Sequence, residues 1–228
     1  MRIVLVGPPG AGKGTQATLL AKTLSIPHVS TGDLFRANIS QGTELGLAAK
    51  SIMDSGKLVP DELTIGMAKD RLSQADAAHG FLLDGFPRNV AQAEALDEIL
   101  TEWGIALDGV LDLEVPEDEV VRRIAGRRIC RNDSSHIFHV EYSAAKTDGV
   151  CDICGGELYQ RPDDSEDKVR TRLEVYHTET EPIIEYYRKQ GLVTTIPALG
   201  KVDEVTGRAI EALRRNKDTE DKETAGSE

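Results

Sequence analysis

The chain has 228 residues, of which 39% are hydrophobic and 29% charged, and its net charge is −12. This length suits one substantial domain, or a core domain with a small insertion. The acidic balance argues against broad electrostatic binding to nucleic acid or to an anionic membrane. No apolar run approaches the length that spans a bilayer, and Gly and Pro end the first one after Val6, so we expect a soluble protein without an export signal.

Runs of aliphatic residues, bounded by glycine or polar residues, alternate with helical patterns along the chain. Along the chain the patterns predict a strand at 2–7, a helix at 13–24, a strand at 28–30, helices at 31–40, 44–54 and 61–75, a strand at 80–85, a helix at 90–101, a strand at 109–115, helices at 117–126 and 166–190, a strand at 192–198 and a helix at 203–215. This alternation predicts an α/β fold with a parallel sheet flanked by helices on both faces. Strands 2–7, 80–85 and 109–115 are almost wholly apolar, which favours central positions in the sheet.

Two regions interrupt this alternation. Residues 31–60 contain successive helices without a strand, and residues 128–160 combine His, Cys, Gly and Asp without a helical period. Each is expected to form a flap on the core, and the second reads as a small inserted domain of turns and hairpins. The polar residues 216–228 have no periodicity and are expected to form a disordered tail.

The glycine-rich stretch GPPGAGKGT, residues 7–15, follows an apolar strand and opens a helix. This is the context of a phosphate-binding loop, in which glycines let successive amides face phosphate oxygens and a lysine adds positive charge. Lys13 is that lysine. Gly14 separates it from the hydroxyl of Thr15, whereas the common form has Ser or Thr directly after the lysine.

An aspartate ends the apolar strand FLLD. If this strand neighbours the first one, Asp84 faces the phosphates and a hydrated magnesium ion, and Asp33 is a candidate to join it. No glutamate follows Asp84, which argues against an ATPase that activates water. We expect His28, His79 and His177 to be structural, since no partner for them is evident in the sequence.

Five motifs in this order resemble the adenylate kinase family of nucleoside monophosphate kinases, in its long-lid bacterial form: GPPGAGKGT, STGDLFR (30–36), FLLDGFPRN (81–89), RIAGRR (123–128) and QRPDDSEDKVRTRL (160–173). The resemblance extends to about residue 215. It implies a P-loop core at 1–29, 60–126 and 165–215, a helical nucleotide-monophosphate flap at 30–59, and a lid inserted at 127–164. It also implies reversible, magnesium-dependent phosphoryl transfer from ATP to AMP, giving two ADP, in a cytoplasmic monomer.

The resemblance assigns residues to each substrate. It implies that ATP is bound by Gly10, Ala11, Gly12, Lys13, Gly14, Thr15, Arg123, Arg127, Ile137, Phe138 and Lys201. It implies that AMP is bound by Thr31, Arg36, Lys57, Leu58, Val59, Gly85, Phe86, Pro87, Arg88, Gln92, Arg161 and Arg172. The implied catalytic cations are Lys13, Arg36, Arg88, Arg127, Arg161 and Arg172, and Asp163 and Asp164 are implied to latch the lid. Arginine suits phosphates because it stays charged and grips two oxygens.

Three cysteines lie between Cys130 and Cys154, which fits a reducing compartment and a local metal site better than a disulfide framework. Metal-bearing members of the family carry four lid ligands in two pairs, and the resemblance implies a structural zinc site at Cys130, Cys151, Cys154 and Asp133. His136 is a rival fourth ligand, because imidazole is the better zinc ligand. A lid without metal is the alternative.

Three other functions compete with this interpretation. A UMP- or CMP-type kinase shares the core but usually has a short lid. A nucleotide-switched binding protein of the GTPase kind needs a guanine-recognition motif, and the closest string, residues 145–148, lacks its first residue and lies in the predicted lid. A zinc-ribbon nucleic-acid module conflicts with the acidic charge and with the absence of aromatic residues around 151–156.

Overall fold

The computed structural model describes the backbone of residues 1–225 and the side chains of residues 1–215. Its strands are β1 (Arg2–Val6), β2 (His28–Ser30), β3 (Phe81–Asp84), β4 (Gly109–Glu114), β5 (Arg127–Cys130), β6 (Ile137–His139), β7 (Leu158–Tyr159) and β8 (Val193–Pro197). Five of them form a parallel sheet in the order β2-β3-β1-β4-β8. The predicted α/β class and parallel sheet are therefore confirmed, with β1 at the centre.

The helices are α1 (Lys13–Leu24), α2 (Thr31–Gln41), α3 (Glu44–Asp54), α4 (Asp61–Leu72), α5 (Val90–Glu102), α6 (Glu117–Gly126), α7 (Glu166–Val175), α8 (Pro182–Arg188) and α9 (Val202–Ala225). Side-chain caps explain several of the starts. Ser30, Thr43 and Asn89 each accept a backbone N–H from the first turn of α2, α3 and α5. No helix in the described part of the chain is long and apolar enough to cross a membrane.

The prediction of a single helix over 166–190 is wrong, because a five-residue π-helix, Tyr176–Thr180, separates α7 from α8. The amide of Glu181 donates to the carbonyl of Tyr176 at 2.8 Å, the wider spacing that defines this turn. Pro182 has no backbone N–H to continue the regular ladder, so the helix restarts at that residue.

Helix α9 extends to Ala225, so residues 216–225 of the predicted tail are helical, and residues 226–228 of that tail lie outside the described residues. Polarity alone led to the prediction of disorder. The segment between Arg215 and Gly226 contains neither Gly nor Pro, so no strong helix breaker separates it from the preceding amphipathic turns.

Two apolar layers cover the parallel sheet. Ile3 and Leu5 point into one layer, which includes α1, α6 and α9, whereas Val4 and Val6 point into the other, which includes α5 and α8. This alternation follows the two-residue period of a strand and places four fully covered residues in β1. With both faces covered, the loop after β1 is held on a rigid base.

Two smaller cores lie apart from the sheet layers. Strands β5, β6 and β7 form an antiparallel sheet in the order β6-β5-β7, and residues from it bury Cys130, Phe138, Cys151 and Leu158. Helices α2 and α3 pack around Phe35, Ala49 and Val59. These separate cores coincide with the two regions that interrupted the predicted alternation.

Candidate active site

The glycine-rich loop turns sharply from β1 into α1. Gly10 and Gly12 have φ angles of 81° and 92°, which side chains with a β-carbon rarely adopt, and a β-carbon at Gly10 would also meet Ile124 at 2.8 Å. The ammonium group of Lys13 lies back over the loop and donates to the carbonyls of Gly7 (2.6 Å) and Pro8 (2.9 Å). The loop is therefore shaped as an anion cradle at a helix N-terminus.

One cavity of about 1330 Å³ runs from this loop to both small cores. It exceeds the roughly 300–1,000 Å³ of a pocket for a single small ligand, so it has room for two. Of the residues predicted to bind nucleotide, those that line it are Gly10, Ala11, Gly12, Lys13, Gly14, Thr15, Arg36, Lys57, Leu58, Gly85, Pro87, Arg88, Arg123, Arg127, Ile137, Phe138, Arg161, Arg172 and Lys201. The two predicted magnesium residues, Asp33 and Asp84, line it as well.

Four residues predicted to bind AMP are not in the cavity wall: Thr31, Val59, Phe86 and Gln92. All four are buried. The hydroxyl of Thr31 donates to the carbonyl of Gly85 at 2.6 Å, and the amide of Gln92 is hydrogen bonded to its neighbours. In this conformation these residues support the wall.

Several cationic side chains line the cavity, and their mutual repulsion disfavours their charged forms. Burial lowers the pKa of Lys13 to about 8, and the charges of Arg88, Arg172 and Arg127 act in the same direction, against the opposing effect of Asp84. Burial and the proximity of Arg172 lower the pKa of Arg88 to about 10. Burial and the charges of Arg36 and Arg127 lower the pKa of Arg161 to about 10. A polyanion in the cavity would relieve this repulsion.

Not all of these cations are neutralised by the protein. The Nε atom of Arg88 donates to the carbonyl of Gly85 at 2.8 Å, and no carboxylate in the described part of the chain lies within ion-pair distance of Arg88. The buried Nε atom of Arg161 has no hydrogen-bond partner among the described residues. Since buried donors are normally satisfied, both guanidinium groups are available to a ligand's oxygens.

Other arginines are held by carboxylates from the segment between β7 and α7. Asp164 has a fully buried side chain and accepts from Arg127, at 2.9 Å from its Nε, and from Arg172 at 3.2 Å. Asp163 pairs with Arg172 at 3.0 Å. These carboxylates fix the orientation of the two guanidinium groups beside the antiparallel sheet.

Asp84 lies beside the glycine loop because β3 and β1 are parallel neighbours, with Leu5 opposite Asp84. Burial opposes ionisation of Asp84, but the hydrogen bond from His28 and the charge of Lys13 outweigh it and lower the pKa. The group is therefore a carboxylate, a suitable partner for a hydrated magnesium ion. Asp33 is more exposed and is engaged by Arg36 at 2.6 Å.

His28 has a role that the sequence analysis missed. Its Nε2 atom lies 3.4 Å from Oδ2 of Asp84, and the residue lines the cavity. The register of the sheet explains this, because His28 of β2 lies opposite Leu82, and residues two apart in a strand point to the same face, so the side chain of Asp84 follows next to His28. Two further wall residues are Glu119 of α6 and Tyr142 in the turn after β6, and the hydroxyl of Tyr142 donates to Glu119 at 2.9 Å. No motif marks either residue.

The cysteines belong to a second site, and none of its four residues lines the cavity. Donor atoms of Cys130, Cys151, Cys154 and His136 all lie within 4.8 Å of one another, as four tetrahedral zinc ligands would. Asp133 is not in this group. Its Oδ1 accepts from Ser135 at 2.9 Å and 2.7 Å, and its Oδ2 lies 3.5 Å from Nε2 of His136. The geometry therefore favours His136 over Asp133 as the fourth ligand.

A phosphate-binding loop follows the central strand of a parallel sheet and faces a cavity lined by several arginines and a carboxylate, and Arg88 and Arg161 have no ion-pair partner among the described residues. This arrangement defines a P-loop phosphotransferase that acts on nucleotides. A profile of the adenylate kinase family matches residues 5–192. An adenylate kinase of Streptomyces griseus is 75% identical over 214 residues, which are 94% of this chain and 98% of that protein. Those of Acidothermus cellulolyticus (94% and 98% covered) and Caldicellulosiruptor bescii (93% and 99%) are 58% and 54% identical. The chain belongs to the adenylate kinase family, and it is an enzyme that transfers a phosphoryl group from ATP to AMP.

Proposed function

We propose that the single cavity binds both nucleotides at once, with ATP on the glycine loop and AMP toward the α2–α3 flap. The residues assigned to ATP are Gly10 to Thr15, Arg123, Arg127, Ile137, Phe138 and Lys201. Those assigned to AMP are Thr31, Arg36, Lys57 to Val59, Gly85 to Arg88, Gln92, Arg161 and Arg172. The volume of the cavity and the continuity of its wall from Lys13 to Arg36 support this arrangement.

Transfer requires two polyanions to approach each other. Like charges at about 4 Å cost roughly 4 kcal/mol at an effective dielectric near 20, so fixed cations must offset the repulsion. We assign this role to Lys13, Arg36, Arg88, Arg127, Arg161 and Arg172. In-line positioning of the reacting groups and stabilisation of the equatorial oxygens then account for the chemistry without a general base.

Asp84, assisted by Asp33, is assigned to the hydrated magnesium ion that accompanies ATP. The lowered pKa of Asp84 supports this assignment, since the carboxylate keeps its charge among the surrounding cations. When bound, magnesium neutralises negative charge on the phosphates and helps to orient them. Asp33 also orients Arg36, with which it forms an ion pair.

The lid and the flap are proposed to close over the nucleotides and keep water from the phosphoryl group. The proposed boundaries are 30–59 for the flap, 127–164 for the lid, and 1–29, 60–126 and 165–215 for the core. The separate small cores around Phe35 and Phe138 support independent movement of these parts. Identical lid positions with and without a bisubstrate analogue would contradict this.

The lid is proposed to hold a structural zinc ion at Cys130, His136, Cys151 and Cys154. Three thiols and an imidazole suit zinc, and four protein ligands leave no position for an activated water. The site therefore stiffens the lid and takes no part in phosphoryl transfer. Asp133 lies beside Nε2 of His136 and orients the ring, as a carboxylate commonly does for a metal-ligating histidine.

We propose a monomer, because the cavity of one chain supplies residues for both nucleotides and the proposed site needs no second chain. The three free thiols and the nucleotide substrates support a cytoplasmic location.

The observation that carries the proposal is the group of partly buried cations, with lowered pKa values and without full neutralisation, around one cavity. A coupled assay with ATP and a panel of monophosphates tests it. We expect AMP to be the preferred acceptor and ATP to be stable when no acceptor is present. Faster phosphorylation of UMP or CMP, or rapid hydrolysis of ATP alone, would overturn it.

A further inference from the structure

The amide of Gln92 is held on both sides. Its Oε1 atom accepts the backbone N–H of Arg88 at 2.8 Å, and its Nε2 atom donates to Oδ1 of Asp61 at 2.7 Å. A backbone N–H only donates and a carboxylate only accepts, so one orientation of the amide satisfies both partners. Gln92 is also fully buried, which makes the loss of either bond costly.

Asp61 is itself fixed. It lies in the first turn of α4, and its two oxygens accept from Nδ2 of Asn89 at 2.9 Å and 3.1 Å. Asn89 in turn caps α5 by accepting the N–H of Gln92 at 2.8 Å. The carboxylate of Asp61 therefore joins α4, next to the flap, to the start of α5.

We propose that Asp61 is a positioning residue for base selection: by fixing the amide of Gln92, it makes the site accept a 6-aminopurine monophosphate and reject a 6-oxopurine one. The inference rests on the proposed role of Gln92 in AMP binding. Gln92 is bonded to the backbone of Arg88, which lines the cavity. After its two bonds, the amide retains one N–H and one oxygen lone pair for a base.

The two kinds of purine present opposite patterns of hydrogen-bond donor and acceptor to such an amide. Adenine offers a donor at N6 and an acceptor at N1, which pair with the amide oxygen and N–H. Hypoxanthine offers an acceptor at O6 and a donor at N1. An unrestrained glutamine adapts to either base by turning its amide over. In this site, such a rotation of the amide would place Nε2 against the Arg88 N–H and Oε1 against the Asp61 carboxylate. Two donors and two acceptors would then face each other, so the mismatch with a 6-oxopurine cannot be relieved.

The test compares kcat/KM for AMP and for IMP in the parent and in Asp61→Ala. We expect the AMP-to-IMP ratio to fall by about tenfold or more in Asp61→Ala, because the amide then loses one of the two hydrogen bonds that oppose its rotation toward hypoxanthine. The matched control is Asn89→Ser, which removes the bonds from Asn89 to Asp61 but leaves the Asp61 carboxylate to accept from Gln92, and keeps a hydroxyl to cap α5. Its ratio should stay within about twofold of the parent's. In a Gln92→Leu background, Asp61→Ala should no longer change the ratio, since the two residues act as one unit.

Thermal unfolding separates selectivity from stability. If Asp61→Ala does not fold, Asp61→Leu replaces it, because that side chain has a similar size and no oxygen to accept from Gln92. A folded variant that keeps the parent's ratio overturns the inference, and so does an equal fall in Asn89→Ser. A parent that does not prefer AMP overturns the proposed function instead, so the two failures are distinguishable.

Discussion

The Nδ1 atom of His136 lies 3.5 Å from the Sγ atom of Cys151. On the other side of the imidazole, Nε2 faces Asp133. The ring therefore presents one nitrogen to the thiols and the other to a carboxylate, the arrangement expected of a metal-ligating histidine. Cys130 and Cys154 complete the set, with their sulfur atoms 3.4 Å apart.

Protein purified without a chelator should contain one zinc ion per chain, measured by elemental analysis. His136→Ala should lose most of the metal under the same conditions. Asp133→Asn should keep it with roughly 10–100-fold weaker affinity, because its carboxylate acts through His136. Removal of the metal should lower the melting temperature of the lid, since structural zinc contributes directly to folding.

The opposite ranking of the two variants would contradict this assignment. If Asp133→Asn lost the metal and His136→Ala retained it, Asp133 would be the ligand. Absence of stoichiometric zinc from the parent protein would end the proposal of a metal site.

Nucleotide binding should take up protons at mildly alkaline pH. Burial lowers the pKa of Lys13 to about 8, so at pH 8.5 a large share of the free protein has a neutral amine. Bound phosphates favour the charged form and raise the pKa, so binding should be accompanied by protonation. Calorimetry of ATP binding at pH 8.5, in two buffers with different ionisation enthalpies, measures the protons taken up.

Proton uptake should disappear in Lys13→Met, which has no titrating amine at this position. Proton release by the parent protein, or identical binding enthalpies in the two buffers, would contradict the assignment of Lys13 to the phosphates.

Replacing Gly126 should loosen the connection between α6 and the lid. A β-carbon at Gly126 would overlap the imidazole of His139, whose Nδ1 accepts from the N–H groups of Glu141 and Tyr142. Gly126→Ala should therefore cost about 1–3 kcal/mol of unfolding free energy, as overpacking usually does. Gly66→Ala in α4 is the control. It has open space and should be neutral or stabilising by about 0.5–1 kcal/mol. Equal unfolding free energies for Gly126→Ala and the parent in chemical denaturation would refute the prediction.

Much of the fold follows from local pattern. The five strands of the parallel sheet were predictable because each is a short run that contains β-branched or aliphatic residues, and β1 alternates between two covered faces. The break between α7 and α8 was not, because helical periodicity continues through a π-turn and only Pro182 marks it. The extent of α9 was also missed, since low apolar content suggested disorder in a segment that lacks helix breakers.

The candidate site was likewise only partly predictable from the sequence. The glycine loop and the arginines are marked by sequence motifs, and the cavity contains most of them. Contacts that depend on tertiary structure were not predictable. His28 meets Asp84 only through the pairing of β2 with β3, and Tyr142 reaches Glu119 across two elements. The choice between Asp133 and His136 likewise depends on how the loop after β5 turns, which spacing alone does not determine.

The catalytic rate of Arg88→Ala tests the central claim most directly. Arg88 is a partly buried cation without a carboxylate partner in the described part of the chain, and we propose that it stabilises the transferring phosphoryl group. Arg170→Ala is the matched control, because Arg170 is exposed and, among the residues whose side chains are described, pairs only with Glu166 on the surface of α7. We predict that kcat for ATP and AMP falls by about 100-fold or more in Arg88→Ala and is unchanged in Arg170→Ala. A folded Arg88→Ala protein with the parent's kcat would contradict the account.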